Sequence, residues 1–120
     1  MARKRKPITR KAFVISVIRR ATFKWPPRGE AIEKARISRG LYRCASCQGE
    51  FKNGEYQVDH KVPIVSVKDG WTNMDDFINR ALPDVDGWQI LCITCHNIKT
   101  SIEDGLRDKN RLKRKNKDET

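Results

Sequence analysis

The chain of 120 residues has no long apolar run and only two histidines. Its N-terminal apolar stretch, Phe13 to Ile18, is far shorter than the roughly 20 residues that span a bilayer. The stretch follows a basic start, as in a signal peptide, but it ends in Arg19-Arg20 and has no small-residue cleavage site. We therefore expect an intracellular protein without a membrane partner.

Acidic residues are absent from residues 1–20, which hold eight Lys or Arg. Residues 107–120 hold seven basic and three acidic residues, so the formal charge of +11 is concentrated at the two ends. Basic ends of this kind suit a polyanion, because each phosphate that they neutralise releases condensed counterions. Charged ends that only keep a small protein soluble are the alternative.

The apolar content of 38% can enclose one modest core. Apolar residues at helical spacing, Phe13 and Val17 among them, predict a first helix from Thr9 to Ala21. Pro26-Pro27 should break it, and a second helix is expected over 28–38. The remaining predicted elements are strands over 56–60 and 88–92, a helix over 73–82 capped by Thr72, and a last helix from the second Cys-x-x-Cys pair to Gly105.

The four cysteines form two Cys-x-x-Cys pairs, which we interpret as one structural zinc site. Cys44/Cys47 and Cys92/Cys95 have the ligand set and local spacing of a tetrahedral four-thiolate site. Disulfides are the alternative, but an intracellular compartment keeps thiols reduced. Such a closed site has no open coordination position, so the zinc would stabilise the fold rather than catalyse. The 44 residues between the pairs exceed the roughly 15–20 of a simple zinc ribbon, so a further element must lie there.

Both histidines adjoin this framework, since His60 follows Asp59 and His96 follows Cys95. If the strand ends near Pro63, the zinc brings the helix with His96 back towards Asp59. Asp59 and His96 can then bind one divalent cation, while His60 acts beside it as a general base for water. Taken singly, His60 also fits a strand-end residue satisfied by backbone groups, and His96 a helix-terminal residue or an extra zinc ligand.

Together these motifs resemble the HNH nuclease family, also called ββα-metal or His-Me finger nucleases, in its four-cysteine phage and bacterial form. The resemblance covers about residues 40–104 and is carried by Cys44-Ala-Ser-Cys47, Gln57-Val-Asp-His-Lys-Val-Pro63, Trp88-Gln-Ile-Leu-Cys-Ile-Thr-Cys-His-Asn-Ile-Lys-Thr100 and, more loosely, the segment 71–82. It implies an α+β fold, in which a ββα-metal core is stapled by the four-cysteine zinc site and preceded by N-terminal helices.

The resemblance also implies the roles of the site residues. His60 matches the general base, and Asp59 and His96 match the ligands of one divalent ion, Mg²⁺, Mn²⁺ or a similar cation. DNA would be cut by hydrolysis to 3′-hydroxyl and 5′-phosphate ends, with a nick and a double-strand break both open.

One position departs from the family pattern. The middle Asn of the motif is expected nine residues before the final His, where this chain has Gly87. In the family this Asn mainly braces the loop between the strands, so either activity is weaker or another residue substitutes, with Asn73 and Asn79 as candidates. Asn97 is expected either to support His96 from outside or to be an ordinary early helix residue.

The expected partner is double-stranded DNA. Side chains expected to contact its phosphates are Arg3, Lys4, Arg5, Lys6, Arg19, Arg20, Lys61 and Lys99. For Lys99, a solvated helix lysine is the alternative.

The motifs divide the chain into four parts: a disordered basic arm (1–7), an N-terminal helical region packing on the core (8–39), a zinc-containing nuclease core (40–105) and a basic C-terminal tail (106–120). The leading hypothesis is a metal-dependent DNA endonuclease, acting in the cytoplasm of a bacterial host if the chain is of phage or bacterial origin. The alternatives are a catalytically weak or inactive zinc-containing nucleic-acid-binding module, suggested by Gly87, and a protein-binding zinc domain, which leaves Asp59, His60 and His96 unexplained.

Overall fold

The computed structural model of the chain describes residues 6–118. Its elements are α1 (Arg10–Ala21), α2 (Pro26–Ala35), β1 (Arg36–Ser38), β2 (Leu41–Arg43), β3 (Glu50–Phe51), β4 (Tyr56–His60), α3 (Met74–Ala81), β5 (Trp88–Cys92) and α4 (Ile93–Asp118), with 3-10 turns at Thr22–Lys24 and Val85–Gly87. Strands β1, β2 and β3 form one antiparallel sheet, and β4 and β5 form another. The predicted α+β class is confirmed. None of the described helices is both long enough and apolar enough to cross a membrane.

The two N-terminal helices differ in how well the sequence predicts them. Helix α1 begins after Thr9, whose hydroxyl accepts a hydrogen bond from the Ala12 N–H over 3.1 Å, as a helix cap does. Helix α2 begins earlier than predicted, because Pro26 and Pro27 occupy its first turn, where a missing N–H costs nothing. It also ends earlier, at Ala35, and the residues expected to continue it pair with β2 as β1.

Strands β4 and β5 form an antiparallel ribbon with the bounds that the sequence predicts. His60 lies opposite Trp88 at one end, and Tyr56 lies opposite Cys92 at the other. Trp88, Ile90, Leu91 and Cys92 are buried, so β5 runs through the interior. Since α4 follows β5 without a loop, the ribbon and this helix form a ββα unit with a fixed relative position.

The insertion between β4 and β5 carries α3. The predicted cap Thr72 is wrong: the Asn73 side chain caps α3 and accepts from the Asp76 N–H over 2.8 Å. The hydroxyl of Thr72 instead donates to the Asp76 carboxylate. Phe77 and Ala81 are fully buried, and the Ala81 carbonyl oxygen lies 2.9 Å from His60 at the end of β4.

Helix α4 runs through Gly105, where the sequence predicts its end. A glycine inside a helix costs only about 1 kcal/mol, which tertiary contacts can offset. Those contacts come from three side chains on one face of the helix, each of which donates to a backbone carbonyl of the insertion. The donors are Arg107, Asn110 and Arg114, and the acceptors are the carbonyls of Val65, Val67 and Lys68.

Candidate active site and cysteine cluster

The four cysteines lie together beside the start of α4. Their sulfur atoms are all within 4.8 Å of one another, so the two Cys-x-x-Cys pairs form one group that can hold a metal ion. The sulfurs of Cys47 and Cys92 are 4.0 Å apart, about twice the length of a disulfide bond of roughly 2.0 Å. The separation is close to the roughly 3.8 Å expected between two thiolates bound tetrahedrally at about 2.3 Å from zinc. Cys44 and Cys92 are buried, whereas Cys47 is exposed.

A tight turn after β2 and the first turn of α4 hold the two cysteine pairs. After β2 the chain turns sharply, with Gln48 at a positive φ of 63°, and the Cys44 N–H and carbonyl bond to Gly49 and Gln48. On the other side, the Cys95 N–H points at the Cys92 sulfur over 3.4 Å, in the first turn of α4. Each pair is therefore held by its own hydrogen bonds from backbone N–H groups.

The thiols of the cluster have pKa values pushed in opposite directions. Burial acts to raise the pKa of Cys44, but hydrogen bonds from backbone groups of Cys92, Cys47 and Ser46 lower it to about 6. At Cys95 the hydrogen bond with Cys92 raises the pKa to about 12. Four close sulfurs cannot all carry a charge unaided, and a cation such as zinc would stabilise them together as thiolates.

Asp59 lies near the other end of the ribbon, opposite Gln89. Its Oδ2 accepts a hydrogen bond from Gln89 Nε2 over 3.1 Å and forms an ion pair with Lys99 Nζ over 3.0 Å. Its Oδ1 faces His96, whose Nε2 lies 3.7 Å away. That gap is too long for a hydrogen bond, but two ligands of one ion, each roughly 2.1 Å from it, can span it. The donor set of one carboxylate and one imidazole thus fits a divalent cation.

His60 is the last residue of β4. Its ring packs against the Trp88 indole with a centroid distance of 4.0 Å, and its Nε2 lies 2.9 Å from the Ala81 carbonyl oxygen. That contact is a hydrogen bond when Nε2 carries the proton, which leaves Nδ1 with the lone pair. Burial lowers the pKa of His60, and the Ala81 carbonyl and Asp59 oppose this only in part. The imidazole is therefore neutral at neutral pH, in the form that a general base needs.

Lys99 and Glu103, both on α4, form a charged cluster with Asp59. Lys99 Nζ donates to the His60 carbonyl over 3.2 Å and pairs with both Asp59 and Glu103. Only 14% of the Asp59 side chain, 19% of Glu103 and 24% of Lys99 is exposed, so these pairs are partly shielded from water. Burial acts to lower the pKa of Lys99, but hydrogen bonds to Glu103 and Asp59 raise it above its usual value, so the ammonium stays charged.

A cleft of about 380 Å³ opens over this cluster, and we call it the active-site cleft. Its lining residues are Arg19, Asp59, His60, Pro63, Ile64, Val65, Lys99, Glu103 and Arg107. Arg19 comes from α1 and Arg107 from the far half of α4, so two arginines from distant parts of the chain line the same opening. An open, polar cleft with these cations suits an anionic substrate such as a phosphodiester.

Gly87 occupies the position of the family's middle Asn, and no side chain fits there. A Cβ at Gly87 would lie 2.4 Å from the Pro83 Cβ, which belongs to a rigid ring. The Gly87 carbonyl instead accepts from the Lys61 N–H over 2.9 Å, and the Pro83 carbonyl accepts from the indoles of Trp25 and Trp88 over 2.7 and 3.2 Å. Hydrogen bonds from one backbone N–H and two indoles thus hold this loop without an asparagine side chain.

The asparagines singled out in the sequence lie at three different places. Asn73 caps α3, as described above. Asn79 lines a shallow groove on α3 together with Pro83 and Gly87. Asn97 is exposed on α4, on a face that does not line the active-site cleft.

The side chains expected to contact DNA are scattered in the structure. Arg19 lines the active-site cleft, while Lys6, Arg20 and Lys61 are exposed. Lys99 lies in the cleft but is engaged by two carboxylates. Arg3, Lys4 and Arg5 lie outside the described residues.

Sequence reasoning missed Gln89 and Glu103, which both act on the Asp59–Lys99 pair. The available signal for Glu103 was its spacing of four residues from Lys99 on one helix. For Gln89 the signal was weaker, because its position opposite Asp59 depends on the register of the ribbon.

Comparison with known proteins gives one informative relative. The chain is 45% identical over 58 residues to a protein named "Probable HNH endonuclease" from Lactococcus phage SK1, a match that covers 48% of this chain and 53% of the relative. The chain thus spans about half the length of the curated relative it matches. No protein-family model matches the chain, and no solved structure matches it either. The similarity to this phage protein, with the clustered cysteines, confirms that the chain resembles the HNH endonuclease family.

Proposed function

We propose that this protein is a metal-dependent DNA endonuclease that hydrolyses phosphodiester bonds. One observation carries the proposal: the Asp59 carboxylate, which lines a cleft together with His60 and three cationic side chains, faces His96 Nε2 across 3.7 Å. The relative's name supports a nuclease at the level of the family.

Two metal sites with different tasks belong to the proposal. The four cysteines hold a zinc ion that stabilises the fold, because a four-thiolate site leaves no coordination position free for substrate. Asp59 and His96 hold Mg²⁺, Mn²⁺ or a similar divalent ion, which when bound polarises the phosphate and stabilises the departing alkoxide.

The chain's own residues then perform the following tasks. His60 Nδ1 takes a proton from the attacking water, while the Ala81 carbonyl holds Nε2–H and so fixes the ring orientation. Gln89 and Lys99 hold Asp59 Oδ2, so that Oδ1 stays turned towards His96. Arg19 and Arg107 bind phosphate oxygens at the cleft, where guanidinium groups suit bidentate contacts. Hydrolysis leaves 3′-hydroxyl and 5′-phosphate ends.

The setting follows from the substrate. The partner is double-stranded DNA inside a bacterial cell, with the nuclease core over 40–105 and the basic segments at 1–7 and 106–120 adding affinity for the backbone. The helical region over 8–39 contributes Arg19 to the active-site cleft.

Cleavage of supercoiled plasmid tests the proposal. Zinc-loaded protein with Mg²⁺ or Mn²⁺ should convert the plasmid to nicked or linear forms, and His60→Ala should slow this about 10²- to 10⁴-fold, the usual contribution of a general base. Gln57→Ala, an exposed change on the same strand, is the matched control and should cleave normally. Labelling of the ends distinguishes a 5′-phosphate from a 5′-hydroxyl.

Equal inertness of the original protein and His60→Ala under several metals would exclude catalysis. If salt-dependent DNA binding then survived Asp59→Ala and His96→Ala, the protein would be a zinc-containing nucleic-acid-binding module instead.

A further inference from the structure

A second cleft of about 380 Å³ adjoins the active-site cleft, and four basic side chains line it. They are Lys34 on α2, Arg36 on β1, Arg43 on β2 and Lys61 directly after β4. Asp86 is the one acidic residue of this lining. We call this opening the basic cleft.

The positive charge of the basic cleft is poorly neutralised within the protein. Arg36 lies 3.9 Å from Glu33, and Arg43 lies 3.8 Å from Glu50, at the outer limit of an ion pair. Exposed pairs of this length contribute little, because water and salt screen them. Within residues 6–118, neither Lys34 nor Lys61 has an acidic partner within 4.0 Å.

Two of the four side chains are held in place by the backbone. Arg43 Nη1 donates to the Gln48 carbonyl over 2.7 Å, and Arg36 Nε donates to the Ser38 carbonyl over 3.3 Å. Since Gln48 belongs to the turn that follows Cys44, the cysteine cluster fixes one wall of the cleft. Side chains ordered in advance lose less entropy when a ligand binds.

The basic cleft is connected to the catalytic residues by two direct links. Lys61, which lines the basic cleft, is joined directly to His60 at the point where β4 ends. Gln89 lines the basic cleft, while its amide holds the Asp59 carboxylate of the active-site cleft. The linings of the two clefts therefore meet at Lys61 and Gln89.

We propose that the basic cleft is a second DNA-binding site, which holds backbone phosphates that flank the bond to be cut. The proposal rests on the proposed function for its substrate, and it assigns Lys34, Arg36 and Arg43 to DNA binding without a part in the chemistry. Repeated phosphates are the ligand that four separated, partly pre-ordered cations fit. An acidic protein surface is the competing ligand class.

Salt-dependent binding to a fluorescent DNA duplex tests the basic cleft. The full zinc-loaded chain is used in a His60→Ala background, so that no cleavage occurs. A triple change of Lys34→Gln, Arg36→Gln and Arg43→Gln removes three cleft charges, and the matched control removes three exposed lysines outside both clefts, Lys24→Gln, Lys52→Gln and Lys68→Gln. The slope of log affinity against log salt should fall by about 0.9 for each lost contact, or roughly 2.7 for the cleft triple, and by less than about 1 for the control.

If the slope of log affinity against log salt fell equally in the two triples, the proposal would be overturned. A cleft triple that lost more affinity for polyglutamate than for DNA would also overturn it, because the cleft would then bind acidic protein surfaces. If the cleft triple loses its zinc or its cooperative melting, the pair Lys34→Gln with Lys61→Gln replaces it, with an expected fall in slope of about 1.8. With His60 restored, the cleft triple should need a higher plasmid concentration than the control triple to reach half of its maximal cleavage rate. Selective loss of DNA binding in a protein that never cleaves would support the basic cleft and refute the nuclease, whereas normal cleavage with equal slopes would do the reverse.

Discussion

The cysteine cluster and the active-site cleft are built on the same ββα unit, yet they are opposite kinds of site. The cluster gathers four like ligands within 4.8 Å of one another, and each Cys-x-x-Cys pair is fixed by backbone hydrogen bonds. The cleft is lined by Asp59, His60 and three cationic side chains, and His96 faces Asp59 from outside that lining. Cys95 and His96 are neighbours in the chain, so one turn of α4 serves both sites. A closed site that fixes shape can thus position an open site beside it.

The largest expected effect is loss of the fold when the cysteine cluster is broken. Structural zinc contributes roughly 10–16 kcal/mol in zinc-finger peptides, which is as large as the roughly 5–15 kcal/mol net stability of a typical domain. Cys44→Ser, or removal of zinc by a chelator, should therefore abolish cooperative thermal unfolding followed by circular dichroism. His96→Ala should keep both its zinc and its melting temperature. A His96→Ala protein that lost zinc as Cys44→Ser does would show that the two sites are not separate.

A smaller effect is expected at Gly87, which stands at a motif position but belongs to the scaffold. Gly87→Ala places a methyl group 2.4 Å from the Pro83 ring and should lower the free energy of unfolding by about 1–3 kcal/mol. Gly105→Ala is the matched control, because nothing lies within 4 Å of that Cβ and alanine favours the helix by about 1 kcal/mol. Urea unfolding should show opposite signs for the two variants. Equal stabilities would mean that the loop at Pro83 yields freely.

The smallest expected effect concerns the carboxylate that holds Lys99. Glu103→Gln removes a negative charge and leaves the Lys99 ammonium to Asp59 alone, so a divalent ion must compete harder for Asp59. Supporting contacts of this kind change metal affinity about 10- to 100-fold, and we expect about tenfold weaker Mn²⁺ binding by calorimetry on zinc-loaded protein. Asp104→Asn, an exposed neighbour outside the cleft, should bind Mn²⁺ normally. If both variants lost the same Mn²⁺ affinity, the cause would be the change in net charge and not the contact between Glu103 and Lys99.

Elements defined by local pattern could be predicted from the sequence. The bounds of β4 and β5 are confirmed, because apolar and polar residues alternate along β4 up to His60 and β5 is a short, mostly apolar run that ends at Cys92. Helix α1 is confirmed as well, because its apolar residues, such as Phe13 and Val17, recur at helical spacing. The cysteine cluster could be predicted because the spacing within each pair is itself the geometry of the ligands.

Features that depend on distant contacts could not be predicted. Strands β1 to β3 have two or three residues each, too few for a pattern to emerge. Gly105 is a local stop signal, and it is overridden by hydrogen bonds from the far half of α4 to the insertion. Gln89 and Glu103 meet Asp59 only through strand register and the position of α4. Local rules therefore describe the ligands of the site but not the residues that hold them.

The docking of α4 on the insertion has a mechanical consequence. Cys95 and Arg114 are about 28 Å apart along an ideal helix axis, and rigid backbone connects them. The N-terminal end of α4 carries Cys95 of the cysteine cluster. Its far half donates hydrogen bonds to the carbonyls of Val65 and Lys68, in the segment beside the active-site cleft. The same helix therefore positions both His96 and this segment of the cleft. A small rotation of the helix near the cysteines would displace its far end by a larger distance and would move the segment that lines the cleft. The rigidity of the cysteine cluster therefore limits how much the cleft can change shape, although the two sites are not in contact.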